Sequence, residues 1–180
     1  MGGDRPSSII TVDAVRAPVE ELPNRLKEQI KRAGGLTREQ INRHPTLKQR
    51  SGLLDSIPGI AEATAAAPLS EITGITQYRS APRVAAYAGP VPRERQWGTS
   101  VRGRTRLSKV GHARLRRASY FAAITALRCG PLFRRWAEGL RQRGKSKMAV
   151  IGAVMRKLIH LAYGVLKTGK TFDPEWAKTA

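Results

Sequence analysis

The most apolar stretch of the chain is MAVIGAVMRKLIHLAYGVL, residues 148–166. Its large apolar side chains recur every three or four positions, which is the period of one buried helix face. Arg156, Lys157 and His160 interrupt the run, so it is a poor match to a membrane span of about 20 apolar residues. We therefore predict that residues 145–170 form the central core helix of a water-soluble protein.

Shorter amphipathic segments surround this core helix. Helices are predicted over residues 20–33, 37–42, 46–56, 62–72, 80–89, 112–129 and 133–143. Gly34 and Gly35 are expected to end the first of them, and Pro68 to kink or end the fourth. Residues 1–19 show neither a helical nor a strand period and are interpreted as a flexible leader. Alternating β-branched runs are absent from the sequence, so the fold class is mainly α, a helical bundle with a long basic Gly/Arg loop.

The segment Ile57-Pro58-Gly59-Ile60 lies between two of these helices. An apolar residue, a Pro-Gly turn and a helix of small residues are typical of a helix-hairpin-helix, in which backbone N–H groups contact a DNA phosphate. Pro58 and Gly59 are therefore candidate DNA-binding residues. The alternative is a tight helical hairpin that only packs.

Positive charge is concentrated in one block of the chain. The net charge is +20 and the pI about 11.4, yet residues 1–78 are almost neutral. Residues 79–170 hold 22 Lys and Arg against only Glu94 and Glu138. Because unrelieved repulsion destabilises a fold, this block predicts a polyanionic partner, and nucleic-acid phosphate fits best.

The Gly- and Arg-rich residues 93–111 have few apolar anchors and suit a loop or loose hairpin lying along a nucleic-acid backbone. If extended, Arg102, Arg104 and Arg106 would share one side at period two, and Lys109 would follow them. Trp97 could stack on an unpaired base, although anchoring the loop to the core is the more ordinary role for such a residue.

Cations also occupy the start of the helix that follows. Arg114, Arg116 and Arg117 occupy its first turns, where they oppose the helix macrodipole, so an external phosphate would favour them. The single Cys129 and the three scattered histidines exclude a disulfide framework and a zinc finger, so no metal site is predicted. The predicted organisation is a leader at 1–19, a helical linker at 20–50 that is coiled-coil-like or binds a partner, a DNA-binding domain at 51–175 and a tail at 176–180.

Six ordered motifs resemble the C-terminal transposase domain of the DEDD-type insertion-sequence family of IS110, IS116 and IS902. They cover about residues 36–175 and are Ile57-Pro58-Gly59-Ile60, Tyr87-Ala88-Gly89 with Val91-Pro92-Arg93-Glu94, Gly98-Thr99-Ser100-Val101-Arg102-Gly103-Arg104, Leu107-Ser108-Lys109, Leu115-Arg116-Arg117-Ala118 and Met155-Arg156-Lys157-Leu158. The resemblance implies a DNA recombinase that combines an RNase-H-like metal domain with a serine nucleophile, some members being directed by an RNA.

This chain departs from that pattern at both catalytic halves. Its carboxylates cannot rebuild the four-carboxylate metal site, so Mg²⁺ and other cofactors are not expected in this chain. Trp97 stands where relatives carry the serine before the glycine, which leaves Ser100 as the candidate nucleophile and Ser108 as a weaker one. Both departures favour a truncated and inactive copy, and they leave open whether the chain is itself an enzyme.

The leading hypothesis is a DNA-binding transposase domain that acts on element ends or target DNA, with a guide RNA and a homo-oligomer or full-length transposase as further partners. A second is DNA cleavage and joining through a phosphoserine at Ser100. A third is a stand-alone RNA-binding or ribosome-associated protein. A membrane role is disfavoured because the cations are spread over several elements, and the expected location is the cytoplasm, in association with the nucleoid.

Overall fold

The computed structural model describes residues 8–71, 74, 78–90, 92–97, 101–107 and 110–175, with the two strands described by their backbone. In that part the chain forms seven helices and one two-stranded hairpin. The elements are α1 (Ser8–Arg43), α2 (Pro45–Asp55), α3 (Glu62–Glu71), α4 (Ala81–Ala88), β1 (Pro92–Trp97), β2 (Val101–Leu107), α5 (Ala113–Cys129), α6 (Pro131–Gln142) and α7 (Lys147–Thr168). The prediction of a mainly α fold is confirmed.

Helix α7 is the centre of the core, as its apolar period predicts. It packs against α2, α4, α5 and α6, and Val154, Leu158 and Val165 on it are almost completely buried. Truncating one such leucine to alanine costs about 2–5 kcal/mol in typical cores. α7 is long and apolar enough to cross a membrane, but 67% of its most apolar window is buried inside the protein, as expected of a core helix.

The chain divides into two compact units, residues 1–40 and 41–180. The predicted boundary at residues 50 and 51 therefore falls inside α2, which packs on α3 and α7 of the second unit. Ile41 is buried and begins that unit.

Two predictions about the first unit are wrong. The leader was expected to extend to residue 19, but α1 begins at Ser8 and includes Pro18 and Pro23. Gly34 and Gly35 do not end the helix, which continues to Arg43. Glycine costs a helix only about 1 kcal/mol per residue, and Thr37 Oγ1 donates to Ala33 O within the continuous helix instead of capping a new one.

The other predicted helices occur within a few residues of their expected bounds. α3 continues three residues beyond Pro68, so the proline does not end it there. The segment predicted as a basic loop or loose hairpin is an antiparallel hairpin of β1 and β2. Sequence periodicity missed these strands because they are polar and carry no alternating apolar face.

Candidate nucleic-acid interface

Two glycines in close contact form the base of the hairpin. Gly89 follows α4 with φ +94° and Gly111 precedes α5 with φ +126°. A Cβ on Gly111 would lie 2.8 Å from both Cα and N of Gly89, and a Cβ on Gly89 would lie 2.7 Å from the carbonyl oxygen of Val110. Only glycine permits this backbone contact at positive φ. The two ends of the segment that holds β1 and β2 are therefore brought together at one point, which we call the glycine neck.

The hairpin register contains one irregularity. Pairs Arg93–Arg106 and Gln96–Arg102 flank a shift at which Glu94 on β1 faces the two residues Arg104 and Thr105 on β2. This two-to-one pairing is a β-bulge. The strict period of two on which the predicted stripe of Arg102, Arg104 and Arg106 depends is interrupted at this bulge. The stripe itself stays a prediction, because the strand side chains lie outside the described part of the chain.

A polar cluster lies beside the neck. The carboxylate of Glu71, at the end of α3, accepts from His112 Nε2 at 3.0 Å and from Arg114 Nη1 at 3.1 Å. His112 is also the N-cap of α5, where its Nδ1 accepts from the N–H of Leu115 at 3.5 Å. With Nδ1 as the acceptor from Leu115, Nε2 is the ring nitrogen that donates to Glu71. The cluster therefore links the end of α3 to the start of α5.

Aromatic rings extend this cluster to α4 and α7. The His112 ring stacks on the Tyr87 ring with the two ring centroids 5.7 Å apart. The centroid of the Tyr87 ring lies 6.1 Å from that of the Tyr78 ring. The N–H of His112 donates to the carbonyl of Tyr87 at 2.8 Å. Tyr163 Oη on α7 donates to the carbonyl of Tyr78 at 2.6 Å and accepts from Lys167 Nζ at 3.1 Å. Four elements are thus fixed around the point from which the hairpin leaves the helical body.

The three arginines predicted at the start of α5 have different environments. The Arg114 side chain is 82% exposed, although its guanidinium pairs with Glu71. Arg116 is half-buried, and its Nη1 would lie 2.8 Å from a Cβ on Gly89. Arg117 is exposed and its guanidinium carbon lies 5.9 Å from the centre of the Phe121 ring. Arg114 and Arg117 are therefore available to a phosphate, while Arg116 contributes to the neck.

The turn between α2 and α3 gives little support to the helix-hairpin-helix interpretation. Pro58 has no N–H, and the N–H groups of Ile57 and Ile60 donate within the turn to Leu54 and Ile57. A Cβ on Gly59 would lie 2.6 Å from backbone atoms of α5, so this face of the turn is packed inside the protein. Glu62 in the first turn of α3 would also repel a phosphate. The observed contacts fit the alternative, a packing turn.

Several predicted residues lie outside the described part of the chain. These are Ser100, Ser108 and Lys109. Ser100 falls in sequence between β1, which contains Trp97, and β2. Among the described residues there is no group of three or more His, Cys, Asp or Glu side chains that could hold a metal ion.

The motif containing Arg156 and Lys157 lies on α7 and includes a titratable group in an unusual position. Burial lowers the pKa of His160, and the nearby charges of Arg156 and Lys157 lower this pKa further. Burial also lowers the pKa of Lys157. Within the described part of the chain, the buried His160 Nε2 has no hydrogen-bond partner. The neutral imidazole is therefore the form that the folded protein favours.

Sequence reasoning missed Glu71, His112 and the tyrosines around the neck. Glu71 is 41 residues from His112 and Tyr163 is 85 residues from Tyr78, so no local pattern links them. One local feature could have indicated His112: it is a polar residue that follows Gly111 at the start of a predicted helix, where it can act as a cap.

Comparison with known proteins gives consistent matches. Residues 51–138 match the model of the transposase family IS116/IS110/IS902. The pilin gene-inverting protein of Moraxella bovis is 35% identical over 134 residues, which are 74% of this chain and 42% of that protein. The insertion element IS110 43.6 kDa protein of Streptomyces coelicolor is 28% identical over 134 residues, 74% of this chain and 33% of that protein. The insertion element IS900 42 kDa protein of Mycobacterium paratuberculosis is 25% identical over 152 residues, 83% of this chain and 36% of that protein.

The chain thus spans less than half the length of these relatives. The helical fold, the concentrated positive charge and these matches together define the class of protein as a transposase. The chain belongs to the IS116/IS110/IS902 transposase family.

Proposed function

We propose that this chain binds DNA during transposition of an insertion sequence, through the hairpin and the start of α5. The observation that carries the proposal is the charge: residues 79–170 contain 22 basic residues and two acidic ones. The glycine neck brings together the two ends of the hairpin segment within this block. Family membership supports DNA as the polyanion, and the pilin gene-inverting relatives are named for a DNA rearrangement. Element ends or target DNA are the proposed ligands.

The test is the salt dependence of binding. If ~6–10 phosphates are contacted, affinity for a duplex should fall ~10³–10⁵-fold between 50 and 200 mM salt, because each contact releases a condensed counterion. Fluorescence anisotropy with duplexes of several sequences measures this directly. Preference among sequences should be small, since backbone contacts dominate. A flat salt response would contradict the proposal.

Two further partners belong to the same proposal. A guide RNA would bind the same basic surface as DNA. Competition between structured RNA and duplex DNA measures which of the two ligands this surface binds more tightly. A homo-oligomer is supported by α1, on which Leu22, Leu26, Ile30 and Leu36 are exposed along one face. Such a stripe buries its apolar area when it pairs with a second helix.

We also propose a cytoplasmic, nucleoid-associated location, which follows from DNA as the ligand.

A second candidate function is catalysis through Ser100. The family resemblance favours it, and Trp97 at the expected serine position weighs against it. In this mechanism the serine oxygen attacks a scissile phosphorus, a phosphoserine bond forms and a DNA hydroxyl leaves. Labelled element ends should then yield a covalent adduct that is lost in the Ser100→Ala variant and kept in Ser108→Ala. Absence of an adduct in the wild type would leave binding as the function and agree with the expected inactive copy.

The alternative of a stand-alone RNA-binding protein rests on charge alone. It predicts that structured RNA of any sequence displaces duplex DNA at equal concentration, whereas the proposed function predicts that duplex DNA displaces such RNA.

A further inference from the structure

A second concentration of positive charge lies far along the chain from the hairpin. Residues 128–147 contain seven basic residues and one acidic residue, Glu138. We call the seven the α6 surface, and all of them are exposed: Arg128, Arg134, Arg135, Arg141, Arg143, Lys145 and Lys147.

The α6 surface is built on a rigid support. Phe133 and Ala137 bury the inner face of α6 in the core, with 2% and 0% of their surface exposed. The outer face therefore holds its cations at fixed spacing, so that Arg134 and Arg141, two turns apart, are separated by about 10 Å along the helix axis. A regular array of this kind suits the regular phosphates of a duplex better than a disordered single strand.

Little of this charge is neutralised within the protein. Glu138 accepts from Arg141 at 3.3 Å, and Arg134 Nη2 donates to the carbonyl of Arg128 at 2.9 Å. Across the described ranges, no salt bridge involves Arg135, Arg143 or the two lysines of the α6–α7 turn. An external polyanion would relieve their mutual repulsion.

The start of α7 adds to the same potential. Lys145 and Lys147 flank its N-cap Ser146, whose Oγ accepts from the N–H of Ala149 at 3.4 Å, and the first turn contains no acidic residue. Cations at the positive end of a helix macrodipole are unfavourable unless an anion is nearby. The charges of the turn and the helix end thus act in the same direction as those of α6.

The α6 surface is far from the glycine neck at both of its ends. Its first residue, Arg128, lies in the last turn of α5, whose start is at the neck, and its last residue, Lys147, begins α7. Lys147 is 16 residues from Tyr163, which bonds to Tyr78 in the cluster beside the neck, so the two lie about 24 Å apart along α7. This distance is more than the diameter of one DNA duplex and leaves room for a second short DNA segment.

We infer that the α6 surface is a second binding site for the sugar-phosphate backbone of duplex DNA, so that one chain holds two DNA segments. The inference rests on the proposed function in that DNA is taken as the polyanion. It differs in assigning ligand contacts to residues that neither the motif resemblance nor the basic hairpin includes.

The test is the number of duplexes bound per chain, measured by titration with a fluorescent DNA dumbbell. A stem of about six base pairs is ~20 Å long and is too short to reach both sites. Three variants of the full chain remove charge without touching the core. The α6-surface variant carries Arg135→Gln, Arg143→Gln, Lys145→Gln and Lys147→Gln. The matched control carries Lys27→Gln, Lys31→Gln, Arg32→Gln and Lys48→Gln, and the hairpin variant carries Arg102→Gln, Arg104→Gln and Arg106→Gln.

We expect two dumbbells per chain for the wild type and the control, and one for the α6-surface variant. Circular dichroism and thermal unfolding check the fold, and the pair Lys145→Gln and Lys147→Gln alone should already weaken the second site about tenfold. The inference is overturned if the wild type binds one dumbbell, if the α6-surface variant still binds two, or if only an RNA dumbbell fills the second site.

The hairpin variant separates the two proposals. If it binds one dumbbell, both sites are supported. If it binds two while the α6-surface variant binds one, the hairpin proposal fails and the α6 surface stands.

Discussion

Single glycines determine where backbones meet in this protein. Gly59 and Gly111 both have positive φ and both touch backbone atoms of another element, whereas Gly52 and Gly164 have open space around them. The sequence predicts a turn at Gly59, because it follows a proline between two apolar residues. It does not predict the contact with α5, since that contact joins residues more than 60 positions apart.

The first prediction concerns Gly59→Ala. The new Cβ would lie 2.6 Å from Ala122 O and Ala126 N, at a φ of +95°. Left-handed strain and overpacking together should lower the free energy of unfolding by about 2–5 kcal/mol. Chemical denaturation measures the change. The control Gly52→Ala, in the middle of α2, should raise this free energy by about 0.5–1 kcal/mol, and equal effects of the two substitutions would refute the packed-turn interpretation.

The second prediction concerns His160 and pH. Since burial and the charges of Arg156 and Lys157 depress its pKa in the folded protein, the unfolded state binds more protons on acidification. Stability should therefore decline as pH falls below about 6.5, the ordinary histidine value. In His160→Gln this contribution is removed, so the Tm of the variant should fall less than that of the wild type between pH 7 and pH 5. Parallel Tm profiles for the two proteins would show that His160 does not contribute.

At the scale of elements, the hairpin is the part that sequence reasoning described least well. Its arginines were recognised, but the strands lack an apolar face and the bulge between Arg93 and Arg95 leaves no mark in composition. The helices were predicted closely because each has an apolar face to bury, and α7 shows this most clearly. The error in α1 arose because prolines and glycines weaken a helix without forbidding it.

The third prediction tests the glycine neck. In Gly111→Ala the new Cβ would lie 2.8 Å from Tyr87 O and from Gly89 atoms, so the ends of the hairpin must separate. We expect affinity for duplex DNA to fall about tenfold, since fixed cations lose part of their register with the phosphates. The far-UV circular dichroism should keep its helical signal.

The matched substitution is Gly164→Ala on α7, where nothing lies within 4 Å of the new Cβ. Its DNA affinity should equal that of the wild type. Unchanged affinity in Gly111→Ala would show that the neck does not position the DNA-binding arginines.

At the scale of the whole molecule, charge and apolar surface are separated along the chain. The first unit is nearly neutral and exposes an apolar helix face, while the second contains almost all of the excess positive charge. The charge block could be counted from the sequence alone. Arg114 pairs with Glu71, whereas Arg135 is exposed to solvent. This difference depends on tertiary contacts, which a count of charges along the sequence does not reveal.

The fourth prediction concerns oligomerisation through α1. Leu26→Lys with Ile30→Lys places two charges in the exposed apolar stripe and should reduce the mass measured by analytical ultracentrifugation to that of a single chain. The control Asn24→Lys with Glu28→Gln adds the same charge to the opposite side of the helix and should leave the mass unchanged. A wild-type protein that is already a single chain would refute this proposal.

The glycine neck has one more consequence. Because two bare backbones close the segment at its root, a change at the hairpin tip leaves this backbone contact itself intact. We therefore expect the helical body to tolerate a hairpin tip of different length or chemistry. Grafting the corresponding tip of another member between Gly89 and Gly111 should then leave the melting temperature of the host unchanged.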